Sequence, residues 1–236
     1  QHAGLRAAAA RSGARTLALS PFAIEAGDDP TTRRALAHAL AADIVLYTSP
    51  NAVAASAALR SLKPRRGQVV LAVGSGTRRA LRRHGVDAGA PSRMDSEGLL
   101  AMPELAEVGG RRIGLVTGSG GRGMLAPAPR ARGAEVLRAD VYARLPLSPA
   151  PAALEKLRAA LADPAHVLLA LGSGEALQAL LAGLPEALRK PFARIAVVAA
   201  SARLADAARD AGFRRVAIAS DARSASLLRA AVAAFG

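Results

Sequence analysis

Five short loops in this chain are built almost entirely from glycine, serine, threonine and alanine. They are Thr48-Ser49-Pro50, Gly74-Ser75-Gly76-Thr77, Gly118 to Gly121, Gly172-Ser173-Gly174 and Ala199-Ala200-Ser201. Each follows a short apolar run and precedes a helical stretch. Small residues there let backbone N–H groups at a helix N-terminus approach an anion closely. Carboxylates and phosphates are the natural ligands. The candidate binding residues are therefore Ser49, Gly74, Ser75, Thr77, Gly118, Ser119, Gly120, Ser173, Gly174 and Ser201. Any one such loop serves equally as a turn or a cap; five in one chain point to a binding face.

The loops themselves carry no histidine, carboxylate or tyrosine to move a proton. The chain has two tyrosines. Tyr47 lies within an apolar run and is expected in the core. Tyr142 lies late in an extended stretch, where its phenol can donate a proton to a leaving group; the competing reading is a packing tyrosine. No serine–histidine–aspartate set or paired-carboxylate motif stands out. The four histidines, His2, His38, His84 and His166, have no metal-ligand spacing. The absence of cysteine excludes disulfides, thiolate metal sites and cysteine nucleophiles, and fits a reducing cytoplasm. No G-x-x-x-x-G-K-[ST] loop occurs. Gly118-x-Gly120-x-x-Gly123 formally satisfies G-x-G-x-x-G, but Pro127 and Pro129 follow it and no suitable acidic residue lies about 20 residues on.

The elements that must position these residues alternate. Apolar runs at 44–47, 69–73, 112–117, 166–171, 194–199 and 215–219 read as strands, with an extended run at 15–19 and a long extended stretch at 134–145. Asp29-Pro30 and Ser49-Pro50 each read as an N-cap followed by proline at the first helical position. Helices are expected at 3–12, from Pro30 to about Ala42, after Ser49 and Gly74, and over 173–183, 201–211 and 223–235. Strands alternating with helices imply parallel sheets covered on both faces.

An internal repeat sharpens this. Ile44–Val53 resembles Val167–Ala176, with Ser49 and Ser173 124 residues apart. Val69–Gly85 resembles Ile195–Gly212, and the helix-ending glycines are 127 apart. Ser96–Leu100 resembles Ser224–Leu228, with an offset of 128. Three matches in order favour an α/β fold of two similar lobes, each a parallel sheet flanked by helices. The lobes are expected to face each other across a cleft suited to a small acidic ligand.

Composition leaves the partner open. Hydrophobic residues make up 51%, enough for ordinary α/β cores, and no apolar run reaches the roughly 20 residues of a membrane span. The opening residues, Gln1-His2-Ala3-Gly4, show no basic segment followed by an apolar one, so no secretory signal is expected. The net charge of +14 points to nucleic acid, to compositional drift or to attraction of an acidic substrate. Only 3% of residues are aromatic, a poor supply for stacking on single strands, and the arginines are spread along the chain.

One set of ordered motifs is more specific. Ile44–Val53 (IVLYTSPNAV), Val73–Thr77 (VGSGT) with Gly85, Ser96–Leu100 (SEGLL), Gly118–Arg122 with Arg132-Gly133-Ala134, and Val141–Arg144 (VYAR) together resemble the uroporphyrinogen-III synthase family. The resemblance runs from about Leu17 to the C-terminus. It implies a nested chain: a first lobe of 1–22 plus 147–236, a second of 23–146, and a two-stranded connection passing near Pro21-Phe22 and Leu145-Pro146. It implies a lyase of tetrapyrrole and haem biosynthesis that cyclises hydroxymethylbilane to uroporphyrinogen III with inversion of ring D. Such a reaction needs no metal or organic cofactor and proceeds largely by positioning. The resemblance makes Tyr142 the candidate assistant to the leaving hydroxyl and puts Thr77 on the cleft wall. A cytoplasmic monomer acting on a linear tetrapyrrole polycarboxylate is implied, with neither membrane nor nucleic acid as partner.

The chain departs from the family pattern in three places. An opening strand that ends in arginine-proline is absent from this sequence, so either the first lobe lacks an element or the sequence is a piece of a longer chain. Leu204 falls where a second cleft threonine is usual, and Pro127 and Pro129 interrupt a segment that is usually helical. The alternative to the enzyme is a non-catalytic two-lobed binding module for an acidic metabolite or nucleic acid.

Overall fold

The computed structural model describes residues 3–93, 95–120 and 125–236. The elements run α1 (Ala3–Arg11), β1 (Phe22–Ala26), α2 (Pro30–Leu40), β2 (Ile44–Tyr47), α3 (Pro50–Leu59), β3 (Val69–Ala72), α4 (Ser75–Arg82), α5 (Ser96–Leu100), β4 (Arg112–Gly118), α6 (Pro127–Ala131) and β5 (Glu135–Pro146). They continue with α7 (Pro151–Ala160), β6 (Leu168–Leu171), α8 (Gly174–Gly183), α9 (Glu186–Phe192), β7 (Ala196–Ala199), α10 (Ala202–Asp210), β8 (Arg215–Ile218) and α11 (Ser224–Phe235). The result is a mixed α/β fold with parallel-rich sheets flanked by helices.

The chain divides into two compact units. One combines Gln1–Ala23 with Pro146–Gly236, and the other is Ile24–Leu145. The inner unit holds a five-stranded sheet in the order β1-β5-β4-β2-β3. In it β2 pairs in parallel with β3 and β4, and β4 pairs in parallel with β5. Its two faces follow the period-2 alternation of buried strands. Val45, Tyr47, Val70, Ala72 and Val116 pack with α2, α3 and α4 on one side. Ile44, Leu46, Leu71, Ile113 and Leu115 pack with Leu99 and Leu105 on the other. Gly114 lets α2 lie close against β4: a Cβ there would fall 1.9 Å from the Ala39 carbonyl oxygen.

The outer unit holds a three-stranded parallel sheet, β6-β7-β8. Leu171, Val197 and Ala199 face the larger core, which Phe192 and Phe213 close edge to face with ring centroids 5.6 Å apart. Val198 faces Leu227 and Ala231 of α11.

β1 and β5 are neighbours at one side of the five-stranded sheet, and both carry the chain across the boundary between units. Gly27 N–H bonds to the Val141 carbonyl at 3.0 Å and Leu147 N–H to the Pro21 carbonyl at 2.8 Å, so the two segments run in opposite directions.

The repeat has a structural counterpart. β2–α3 corresponds to β6–α8, and β3–α4 to β7–α10. Gly85 and Gly212 end the latter helices at φ +73° and +94°, a conformation that glycine adopts without strain. The sheets differ in strand number, five against three.

One expectation needs correction. The extended run at 15–19 forms no strand: it pairs with no neighbour, Leu17 is exposed, and only Leu19 reaches the core. The strand in that region is β1, which gains its place from pairing beside β5. Among the described residues between β4 and β5 the helix is the five-residue α6, short as the prolines lead one to expect, and it starts at Pro127 because proline tolerates the first helical turn.

Candidate active site

All five small-residue loops lie at the carboxyl ends of parallel strands, β2, β3, β4, β6 and β7. Open α/β sheets bind ligands along that edge. Gly121 of the third loop, Arg122 of the family motif, Gly123 of the glycine pattern, and His2 lie outside the described residues.

In the inner unit, the structure brings Ser49, Gly118 and Tyr142 together. Ser49 is the N-cap of α3; its Oγ accepts a hydrogen bond from Ala52 N–H at 3.1 Å. Pro50 follows at the first helical position, so φ there is set before the helix forms. On the other side, Thr48 N–H bonds to the Val116 carbonyl at 3.2 Å and ties the end of β2 to β4. Ser49 is thus held from both directions. Its Oγ lies 3.1 Å from the phenol oxygen of Tyr142, which comes from β5, 93 residues away.

The Tyr142 ring rests on Gly118. A Cβ at Gly118 would lie 2.4 Å from Tyr142 Cζ, well inside any tolerated contact. The β4–β5 register shifts between Thr117 and Gly118, which places Gly118 opposite Tyr142. Beyond the shift, Ser119 N–H bonds to the Tyr142 carbonyl at 2.8 Å. Tyr142 is 4% exposed. It therefore packs, as the competing reading has it, and also carries a specific polar partner.

Gly74 is the N-cap of α4 and has no side chain to cap it, so Ser75, Gly76 and Thr77 form the first turn with no such bond. Thr77 is 2% exposed, more enclosed than a residue lining an open surface. Gly76 packs near Pro50, which sets the start of α4 beside the start of α3.

The outer unit gathers Ser173, Gly174 and Ser201. Ser173 Oγ accepts from Ala176 N–H at 3.3 Å at the start of α8. Ser201 Oγ accepts from Leu204 N–H at 3.4 Å at the start of α10. Leu204 is buried against Gly174 and holds the same third helical position in α10 that Thr77 holds in α4.

Sequence reasoning missed a hydroxyl pair. Thr48 Oγ1 donates to Thr117 Oγ1 at 2.9 Å, joining the ends of β2 and β4 directly below Ser49 and Gly118. Threonines ending two apolar runs were the available signal. Tyr47 lies in the core as expected; its hydroxyl has no hydrogen-bond partner among the described residues, and burial pushes its pKa well up. Two concavities of the inner unit lie elsewhere. One of about 240 Å³ is lined by Arg33, Leu59 and Arg60, and one of about 600 Å³ lies beside Arg93, Gly98 and Met102. Among the described residues, no helix is long and apolar enough to cross a membrane, and no three His, Asp or Glu side chains cluster as a metal site.

A family model described as uroporphyrinogen-III synthase HemD matches residues 4–229. The chain belongs to the uroporphyrinogen-III synthase family. That family cyclises hydroxymethylbilane in porphyrin and haem biosynthesis, and membership does not favour the non-catalytic alternative. The Salmonella typhimurium uroporphyrinogen-III synthase is 34% identical over 207 residues, covering 85% of this chain and 83% of that protein. The Escherichia coli uroporphyrinogen-III synthase is 35% identical over 138 residues, 57% of this chain, and that match spans about half, 54%, of the relative. A mutant uroporphyrinogen III synthase from Thermus thermophilus shares the fold, with TM-score 0.61 over 98% of this chain and 94% of that one, at 24% identity.

Proposed function

We propose that this chain cyclises hydroxymethylbilane to uroporphyrinogen III, with inversion of ring D, and that Tyr142 assists loss of the hydroxyl from ring A. The observation that carries the proposal is the placement of the Tyr142 phenol at the strand edge, seated on Gly118 and bonded to Ser49 at 3.1 Å. A phenol held on two sides cannot swing away from a bound substrate.

The chemistry balances around one proton. Tyr142 O–H gives its proton to the departing hydroxyl; the C–O bond breaks with its electron pair on oxygen, and water leaves. Ring D attacks the resulting electrophilic carbon through its substituted position, the spiro ring reopens, and closure follows in the inverted sense. The proton lost as the last pyrrole regains aromaticity restores the phenol. General acid assistance of this kind typically contributes about 10²–10⁴-fold.

The substrate's carboxylates need donors rather than metals or bases. The first turns of α4, α8 and α10 offer backbone N–H groups, and the +14 charge of the chain attracts a polyanion at long range. Gly74, Ser75, Thr77, Ser119, Gly120, Ser173, Gly174 and Ser201 remain the proposed binding set, used chiefly through the backbone where their side chains are enclosed or engaged. The proposal includes a cytoplasmic monomer.

Tyr142→Phe is expected to lower kcat for hydroxymethylbilane by about 10²-fold while the circular dichroism spectrum and Tm stay near those of the parent. A kcat equal to the parent's would return Tyr142 to a packing role.

A further inference from the structure

We propose that Ser49 is a positioning residue that acts through Tyr142: its hydroxyl orients the phenol proton outward and supports the phenolate once that proton has gone. This rests on the reading of Tyr142 as proton donor.

Ser49 Oγ has one hydrogen to give and two lone pairs. One lone pair is taken by Ala52 N–H at 3.1 Å. The Tyr142 oxygen, also at 3.1 Å, is placed to accept the Ser49 hydrogen. In that arrangement Tyr142 accepts from Ser49, and its own proton is left for the substrate. The reverse arrangement would spend the phenol proton on Ser49.

Two features favour the first. A hydroxyl that already accepts from a backbone N–H is polarised into a better donor. The Ala52 N–H is also one of the donors without an intrahelical partner at the start of α3, a ten-residue helix whose N-terminus carries partial positive charge. A phenolate formed at Tyr142 would then receive the Ser49 hydrogen along a chain that ends on a helix N-terminus. No proton needs to pass along the chain; Ser49 O–H stays intact throughout. The same hydroxyl is thereby occupied on both sides, so its function differs from direct binding of a substrate carboxylate.

The elements leave little freedom for the pair. Gly118 fixes the ring from below, and the Thr48–Val116 bond and Pro50 fix Ser49. Ser49 follows β2 and Tyr142 lies on β5, with β4 between those two strands; the bond closes across the end of β4, where Gly118 provides the room.

The test uses Ser49→Gly, which keeps an acceptable N-cap while removing the hydroxyl, together with Ser49→Thr, Tyr142→Phe and the double variant Ser49→Gly/Tyr142→Phe in the full chain. Steady-state cyclisation of hydroxymethylbilane and Tm are measured for each. Ser49→Gly is expected to lower kcat about ten-fold with KM little changed, because a hydrogen bond to a developing charge is lost. Ser49→Thr should recover most of that loss. The double variant should be no slower than Tyr142→Phe alone, since Ser49 has no other route to the reaction. A normal kcat for Ser49→Gly beside a slow Tyr142→Phe would overturn the assignment of Ser49 and leave that of Tyr142 standing. A rise in KM alone, or multiplicative losses in the double variant, would overturn it too. A Tyr142→Phe variant as fast as the parent would remove the reading of Tyr142 and this inference with it.

Discussion

Gly118 shows how much of the candidate site depends on an atom that is missing by design. Its hydrogen in place of a Cβ gives the Tyr142 ring its seat, with the nearest ring carbons at 2.4, 2.6 and 2.8 Å from where a Cβ would be. Backbone of β4 lies on one side of that contact and the core on the other, so neither partner can retreat cheaply. Gly118→Ala is expected to destabilise the inner unit by about 1–3 kcal/mol, the usual cost of overpacking. It should also depress turnover, because the phenol is pushed off Ser49. Denaturant unfolding and the hydroxymethylbilane rate check both. A variant with parental stability and rate would show that the ring is not fixed by this contact. Tyr142 and Gly118 were both picked out from the sequence, but as members of separate motifs. That they touch depends on the register shift at Thr117/Gly118, and no local pattern encodes such a shift. The Ser49–Tyr142 bond was hidden for the same reason: the partners are 93 residues apart.

Strands and helices with both ends marked were legible, and those marked by neither pattern nor cap were not. Asp29-Pro30, Ser49-Pro50 and Gly85 gave α2, α3 and the end of α4 because capping and left-handed conformation are chemistry of one or two residues. The run at 15–19 has the composition of a strand, but a strand exists only where a neighbour accepts its ladder, and none does. β1, α5, α7 and α9 went unassigned; α9 carries Pro191 inside it, which argues locally against a helix that Leu188 and Phe192 hold by packing. The cap of α2 makes a prediction of its own. Asp29 accepts from Thr32 Oγ1, Thr32 N–H and Thr31 N–H, and these bonds, led by the Thr32 hydroxyl, hold its pKa below the usual carboxylate range. A carboxylate with a depressed folded pKa stabilises above its unfolded value of about 4, and that contribution is lost as pH falls through the folded value. Asn caps a helix without titrating. The stability of the parent should therefore fall relative to Asp29→Asn as pH is lowered from about 5 to about 2. Parallel curves for the two proteins would contradict a titrating cap.

The chain repeats one design in both units: a parallel strand, a loop of small residues, then a helix that starts at the carboxyl end of that strand. The outer unit does this at Ser173 and Ser201, and the inner unit at Ser49 and Gly74. Charge alone left nucleic acid, an acidic metabolite and compositional drift as equal readings of +14. Family membership points to a small-molecule substrate, and the geometry adds one phenol with a defined partner to loops otherwise poor in acid–base side chains. Catalysis by such a protein depends on holding a flexible polyanion in a shape that solution does not favour, so the stereochemical outcome is a sharper reporter than the rate. Hydroxymethylbilane closes spontaneously without inversion to the isomer I macrocycle. The decisive measurement supplies hydroxymethylbilane to the purified chain, oxidises the products and separates the porphyrin isomers. The isomer III product should predominate, in proportion to the amount of protein added; isomer I alone, as in the reaction without protein, would contradict the account.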